Sequence, residues 1–249
     1  MKRRVEVFAK FLKIYPLSHA LPRGLESLLF RQFNLNPPVL DLGCGDGSFV
    51  LLTFGRGKID VGLDKDKNEV EKARKKGVYK KVVVADAQEL PFPNQKFKTI
   101  IANSVLEHVK DPDKALDECF RVLSPGGRLI FTVPGEPDRK YWFWPKIFGG
   151  LYIKVTDRLM GHFAFYDKDA WLKKLKRAGF SEIKVFSYAP KKMVFLLDFL
   201  VPFGLFYYLT KRVFGPRRFL ARIFLPFFYV DKKDGLGYCF IVKKKDYNR

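Results

Sequence analysis

The residues best suited to chemistry lie in the stretch VLDLGCGDGSF, Val39 to Phe49, where an apolar run ends in an acid and opens into Gly43, Gly45 and Gly47. Such a run reads as a strand, a tight turn and the start of a helix, the corner at which open α/β sheets bind ligands. Glycine serves there because a ligand must approach bare backbone and because the turn can demand a positive φ. The spacing is G-x-G-x-G, unlike the G-x-G-x-x-G of dinucleotide-binding turns. Asp41 and Asp46 flank the glycines. Two acids so placed would repel a pyrophosphate and suit a ligand carrying positive charge.

Further acids follow at the ends of short apolar runs. VGLD, Val61 to Asp64, places Asp64 23 residues after Asp41, close to the roughly 20 residues that bring a second-strand acid to ribose hydroxyls. S-adenosylmethionine, with its ammonium, sulfonium and ribose, meets both demands. Val82 to Phe92 (VVVADAQELPF), Phe97 to His108 (FKTIIANSVLEH) and Arg121 to Pro134 (RVLSPGGRLIFTVP) complete a series of five motifs covering about residues 38–134. In order and content the series resembles the class I S-adenosylmethionine-dependent methyltransferases, and within them the ubiquinone/menaquinone-type branch of small-molecule enzymes.

The resemblance implies S-adenosylmethionine as cofactor and a binding set of Asp41, Gly43, Cys44, Gly45, Gly47, Asp64, Lys65, Asp86, Ala87 and Asn103. In it Asp64 accepts both ribose hydroxyls, Asp86 accepts from the adenine amino group, and the Ala87 N–H serves a ring nitrogen. Methyl transfer from a sulfonium is an in-line displacement that positioning alone can largely drive, so the family has no fixed catalytic residue. His108, just after the strand-4 turn, is the candidate proton acceptor, for example from a phenol or enol. It can equally cap or pack its helix. Glu107, His162 and Tyr166 are further candidates, the last two read more readily as lid or packing residues. No metal set is expected. Asn103-Ser104 lacks the Asn/Asp-Pro-Pro-Tyr pattern of amino-methylating enzymes, Asn36-Pro37-Pro38 reads as a turn before strand 1, and no Pro-Cys pair occurs. These absences weigh against a nucleic-acid substrate.

The elements that must position these residues read as alternating strands and helices. Helices are expected at 1–15 and roughly 22–33, then a strand after Pro38, a helix from about 47, strand 58–63, helix 66–76, strands 81–85 and 97–103, helix 113–122, strand 127–134, helix 168–178, strand 181–188 and a final strand at 237–243. The expected fold is α/β and Rossmann-like: a seven-stranded, mostly parallel sheet with helices on both faces and an antiparallel last strand. At 249 residues the chain reads as one methyltransferase domain, 1–249, with N-terminal helices in 1–35. Two insertions, 135–166 and 191–234, emerge on the cofactor side of the sheet and are expected to form an aromatic and basic helical cap over the acceptor site.

Composition bears on partners. The formal net charge is +21, with 47 basic against 26 acidic residues. The part after Pro134 carries +14 of it, which points to anionic partners such as a membrane surface or nucleic acid; lysine-rich surfaces also serve solubility or life at high temperature. The start, MKRR, resembles the head of a signal peptide, but Glu6, Lys10 and Lys13 interrupt the apolar core that should follow. Three cysteines without paired or metal-like spacing fit a reducing cytosol. The apolar run 193–209 is 17 residues long and contains Asp198, Pro202 and Gly204. It reads as an interfacial element whose aromatic and basic residues sit among lipid headgroups, with a water-soluble cap and a membrane span as alternatives.

These features converge on a methyltransferase acting on oxygen or carbon of a hydrophobic small molecule, lipid- or quinone-like, in the cytoplasm and peripheral at the inner face of the membrane. An RNA methyltransferase is the alternative within catalysis. A cofactor-binding scaffold without activity is the alternative outside it, disfavoured by the intact glycines and acids.

Overall fold

The structure, a computed structural model, describes residues 2–135, 143–160, 166–188, 195, 198–199 and 237–246. Their contacts group the chain into two compact units, one of Phe33–Gly135, Phe163–Phe186 and Tyr238–Arg249, the other of Met1–Gln32, Glu136–His162 and Ser187–Gly237.

The first unit is built on a 7-stranded sheet in the order β3-β2-β1-β4-β5-β7-β6. Its strands are β1 (Val39–Leu42), β2 (Ile59–Asp64), β3 (Tyr79–Val84), β4 (Phe97–Asn103), β5 (Leu123–Pro134), β6 (Phe180–Tyr188) and β7 (Gly237–Lys244). The first five pair in parallel, and β7 runs antiparallel. Helices α3 (Ser48–Phe54), α4 (Lys67–Lys76), α5 (Pro112–Val122) and α7 (Lys168–Arg177) flank it. All four residues of β1 are buried, as expected of a central parallel strand covered on both faces. The core stacks Phe131 on Phe240, centroids 4.9 Å apart, with Trp171 edge-on to Phe131 at 5.6 Å. Lys244, near the end of β7, is buried yet satisfied, its Nζ donating to the carbonyls of Phe120 at 2.8 Å and Leu123 at 2.9 Å.

Strand β5 begins four residues before the expected start, at Leu123. The Pro-Gly-Gly turn is absorbed into it: the register against β4 shifts between Phe97 and Thr99, and Gly126 takes φ +70°. A chain irregularity of this kind bends a strand without ending it.

The second unit contains α1 (Lys2–Phe11), α2 (Leu17–Phe30) and α6 (Pro145–Met160). Helix α1 stops at Phe11 rather than at residue 15, and residues 12–14 continue as turns with Leu12 buried. Helix α2 starts at Leu17 and runs straight through Pro22, where the sequence suggests a start. One lost backbone bond at Pro22 is outweighed by an apolar face of Ala20, Leu21, Leu25 and Leu29, all buried. Within this unit the Tyr188 hydroxyl donates to buried Glu26 at 2.7 Å. Helix α6 breaks at Gly149, whose φ of 59° and ψ of −150° leave the helical region. Of the expected second insertion, residues 191–234, only Phe195, Asp198 and Phe199 lie within the described residues, as does α6 of the first. Among the described residues no helix is long and apolar enough to cross a membrane.

Candidate cofactor site

The strand order places β1 between β2 and β4, so the chain winds outward in opposite directions from β1 and β4. In open α/β sheets that switch point is where ligands settle, outside the carboxyl ends of the strands. The pairings Leu42 with Leu63 and Asp64 with Val84 bring the ends of β1, β2 and β3 level. The glycine loop, Asp64, and the turn bearing Asp86 therefore share one edge. The turn after β4 borders the same crevice from the other side.

The two loops at the switch point interlock. Gly43 has φ +70°, and a Cβ there would fall 2.4 Å from Cγ2 of Val105 in the turn after β4. Position 43 thus needs glycine both for its backbone angle and for the close approach. Gly45, at φ +49°, differs: a Cβ there would meet nothing within 4 Å, so its backbone faces open space. Cys44 lies between them, buried, with its N–H donating to Leu63 O at 2.9 Å. Burial, with Asp41 and Asp64 nearby, pushes its thiol far up, so it acts as a small apolar filler and not as a nucleophile. Cys44, Cys119 and Cys239 are all free and buried.

The acids divide into distinct roles. Asp41 is buried beneath the loop, and among the described contacts its carboxylate has one hydrogen-bond partner, the Tyr79 hydroxyl at 2.6 Å. Burial pushes the Asp41 carboxyl up to about 7; the Tyr79 bond opposes that rise and the neighbouring charge of Asp64 adds to it. Asp64, at the end of β2, accepts from Gly45 N at 2.8 Å through one oxygen and from Asp66 N at 3.0 Å through the other. It both braces the glycine loop and stands at the edge. Asp46, the other acid flanking the glycines, is engaged by groups of the chain itself. Its carboxylate accepts from Ser48 N at 2.9 Å and Ser48 Oγ at 2.8 Å, and Lys76 of α4 pairs with it. Burial alone would raise the Asp46 carboxyl, but Lys76 and the Ser48 bonds hold it below its ordinary value. The short side chain thus ties off the first turn of α3, where backbone N–H groups lack helical partners.

Asp86 follows β3 and accepts from Gln88 N at 2.8 Å and from Gln88 Nε2 at 3.0 Å. Burial works against its charge, but the Gln88 bonds, with Lys65 and Lys114 nearby, keep it below the usual carboxylate range. Lys65 is exposed, and Ala87, next in the chain to Asp86, is half-buried. The loop carrying Asp86 is fixed from α5: Arg121 donates to the carbonyls of Leu90 at 2.9 Å and Phe92 at 2.7 Å, while Glu118 accepts from Leu90 N at 2.7 Å. Asn103 ends β4, its Oδ1 accepting from Thr132 Oγ1 of β5 at 3.0 Å. Ser104 follows with φ +52° and donates its N–H to Thr132. His108 closes the short 3-10 turn Leu106–His108 with its side chain 38% exposed, Nε2 lying 4.0 Å from Oε1 of buried Glu107. Tyr166 packs edge-on to Trp171 at 5.4 Å, with Lys174 Nζ 4.5 Å from its ring centroid. His162 lies outside the described residues.

Tyr79 is the residue that sequence reasoning overlooks. It opens β3 as the one aromatic in YKKVVV, and its ring lies where a Cβ on Gly47 or Gly62 would go, 3.2 and 3.0 Å away. Gly62 itself, in the middle of a strand, was the available signal, since an interior strand glycine marks a close approach.

The family model described as a methyltransferase domain matches residues 40–131, the span from β1 to β5 that carries the glycine loop, Asp41, Asp64, Asp86, Asn103 and His108. Residues 40–131 form a class I S-adenosylmethionine-dependent methyltransferase domain. The chain is 33% identical over 155 residues to the ubiquinone/menaquinone biosynthesis C-methyltransferase of Vibrio campbellii, covering 53% of this chain and 57% of that one. It is 29% identical over 160 residues to the chloroplastic 2-methyl-6-phytyl-1,4-hydroquinone methyltransferase 2 of Oryza sativa subsp. japonica, covering 61% of this chain and 41% of that one. The match thus spans about half the length of these curated relatives. A SAM-dependent methyltransferase of Thermotoga maritima superposes with a TM-score of 0.63 at 20% identity, covering 97% of this chain and 100% of that one, a likeness of fold.

Proposed function

We propose that this methyltransferase domain binds S-adenosylmethionine at the switch point and transfers its methyl group to oxygen or carbon of a hydrophobic, quinone-like small molecule drawn from an anionic membrane surface. The observation that carries the cofactor half is the grouping, at the carboxyl ends of β1 and β2, of an open-faced Gly45, a buried Asp41 and an edge carboxylate, Asp64. These fit the ligand's parts. Asp64 places negative charge beside the loop and Asp41, once ionised, beneath it, where an ammonium and a sulfonium would lie, while Asp46 is neutralised by Lys76. Asp64 offers charged acceptors to the ribose, and Asp86 with the Ala87 N–H forms the adenine end.

Bound S-adenosylmethionine supplies an activated methyl group on a sulfonium. The chain's own task is to hold an acceptor in line with it and to remove a proton where the acceptor is a hydroxyl or an acidic carbon. His108 is the residue proposed for that proton, being partly exposed directly after the turn that borders the site. The quinone-like acceptor is supported by the relatives of Vibrio campbellii and Oryza sativa, one named a C-methyltransferase of ubiquinone/menaquinone biosynthesis and the other a hydroquinone methyltransferase. The membrane surface is supported by the charge of +21 and by the basic, apolar composition of residues 191–234.

Incubation of the purified protein with methyl-labelled S-adenosylmethionine and a panel of acceptors tests this reading. Label should pass to a prenylated hydroquinone dispersed in detergent and not to single-stranded RNA. Transfer to RNA with none to any hydroquinone would overturn the substrate assignment.

A further inference from the structure

Among the described residues, large apolar side chains stand exposed at eight positions, and six of these belong to one locality: Ile147, Phe148, Leu151 and Val155 of α6, with Phe195 and Phe199. Leu151 is 71% exposed and Phe148 58%. Scattered apolar residues on a surface need no explanation, but a concentration on one element marks a surface that meets something apolar. Leu151 and Val155 are four residues apart and share a helix face. Lys146 and Lys154, both exposed, lie along the same element, and none of the side chains described on α6 is acidic.

The locality is braced. Asp198, buried, accepts from Phe143 N at 2.8 Å and Trp144 N at 2.9 Å, two backbone donors at the entry to α6, and from the Tyr152 hydroxyl at 2.8 Å on its next stretch. One carboxylate therefore clamps both sides of the Gly149 break. Around it Trp144 stacks on Phe148 at 5.8 Å and on Phe199 at 6.3 Å, and Phe143 meets Phe195 and Phe199 edge-on at 5.3 Å each. An acid in this apolar run argues against burial in a bilayer when read as sequence alone. Folded, it is spent on internal donors, and the apolar rings face outward.

We propose that this exposed face of α6, with Phe195 and Phe199 beside it, is the surface by which the protein seats on an anionic lipid bilayer. It rests on the membrane clause of the proposed function and assigns that contact to particular side chains. A bilayer suits the face better than a second copy would. Aliphatic and aromatic side chains interspersed with lysines match the acyl boundary and the headgroup phosphates together, the lysine stems reaching up to the charge. Self-association would instead bring Lys146 and Lys154 against their own kind in a chain of net charge +21.

The test uses the full chain and cosedimentation with vesicles of phosphatidylglycerol mixed equally with phosphatidylcholine, and with phosphatidylcholine alone. Wild type should bind the anionic vesicles, and a variant with Leu151→Glu and Phe148→Ser should bind them at least about tenfold more weakly. Lys146→Gln with Lys154→Gln should lower binding to the anionic vesicles only. S-adenosylhomocysteine affinity should be unchanged in both, which shows that the fold is intact. The proposal is overturned if wild type ignores anionic vesicles, or if the Leu151/Phe148 variant binds them as wild type does. It is equally overturned if wild type is a dimer in solution that this variant dissociates. Methyl transfer to a short-chain, water-soluble hydroquinone reads the substrate assignment separately. Vesicle binding without transfer would leave this surface standing and remove the quinone, and transfer without vesicle binding would do the reverse.

Discussion

Replacing Tyr79 with Phe removes one oxygen from beneath the glycine loop and keeps the ring that fills the space against Gly47 and Gly62. The lost bond is the 2.6 Å contact to buried Asp41. A hydrogen bond to a charged group is worth about 1.5–3 kcal/mol, and about 1.4 kcal/mol moves a pKa by one unit. The Asp41 carboxyl, already pushed up to about 7 by burial, should rise by about one unit or more. If the positively charged amino-acid end of the ligand prefers the ionised carboxylate, apparent affinity scales with the ionised fraction. At pH 7 that fraction drops from about a half to about a tenth, so affinity should weaken about fivefold or more. Two units higher in pH the loss should largely vanish. Titration calorimetry with S-adenosylhomocysteine from pH 6 to 9 checks this. Wild-type affinity that ignores pH across this window, or a Tyr79→Phe midpoint that stays at wild type's, refutes the reasoning. The same raised carboxyl makes a stability statement whose sign is fixed: the neutral form favours the fold, so its contribution is complete below the ordinary carboxylate range and is lost as pH climbs through about 7. Asp41→Asn should flatten that decline, measured by urea midpoints across the same range.

Gly43→Ala should reduce both stability and cofactor affinity, because the new methyl meets Val105 at 2.4 Å and the backbone stays at φ +70°; Val105→Ala should restore part of the loss, and a fully native Gly43→Ala would show that the loops do not interlock. Asp64→Ala should weaken S-adenosylhomocysteine binding about tenfold or more, from the loss of a charged acceptor worth roughly 1.5–3 kcal/mol; unchanged affinity in a folded variant would remove Asp64 from the site. Asp86→Asn should weaken S-adenosylmethionine binding, since the amide retains an acceptor but not its charge; intact affinity would displace the adenine end from β3.

The sheet is legible because its signals are local. An apolar run ending in Asp41, Asp64 or Asn103 marks a strand and its ligand-facing end within a few residues, and the expected positions of β1 to β4 agree with the structure to within two residues. What escaped depends on partners distant in sequence. Asp46 and Asp41 look alike beside the glycines, yet Lys76, 30 residues on, neutralises one, and Tyr79, 38 residues on, serves the other. Asp198 in an apolar run reads as an interruption until Phe143, Trp144 and Tyr152 are seen to donate to it. Pro22 reads as a helix start because the rule weighs one backbone bond, whereas the buried face of α2 weighs four side chains. The acceptor leaves no such signal, since methyl transfer asks only for position.

The order β5-β7-β6 has a consequence for synthesis. The ribosome delivers β1 to β5 first, and these five parallel strands with their helices contain the whole glycine loop and its interlocking turn. The last of these seven strands in chain order is not added at the rim but slots between β5 and β6, where Lys244 fastens it to the carbonyls of Phe120 and Leu123. Until residue 244 has emerged, β5 carries an open edge and β6 has no neighbour to join. The nascent chain therefore passes through an interval in which its cofactor loop can be formed while its sheet still offers an unpaired strand to any other chain nearby.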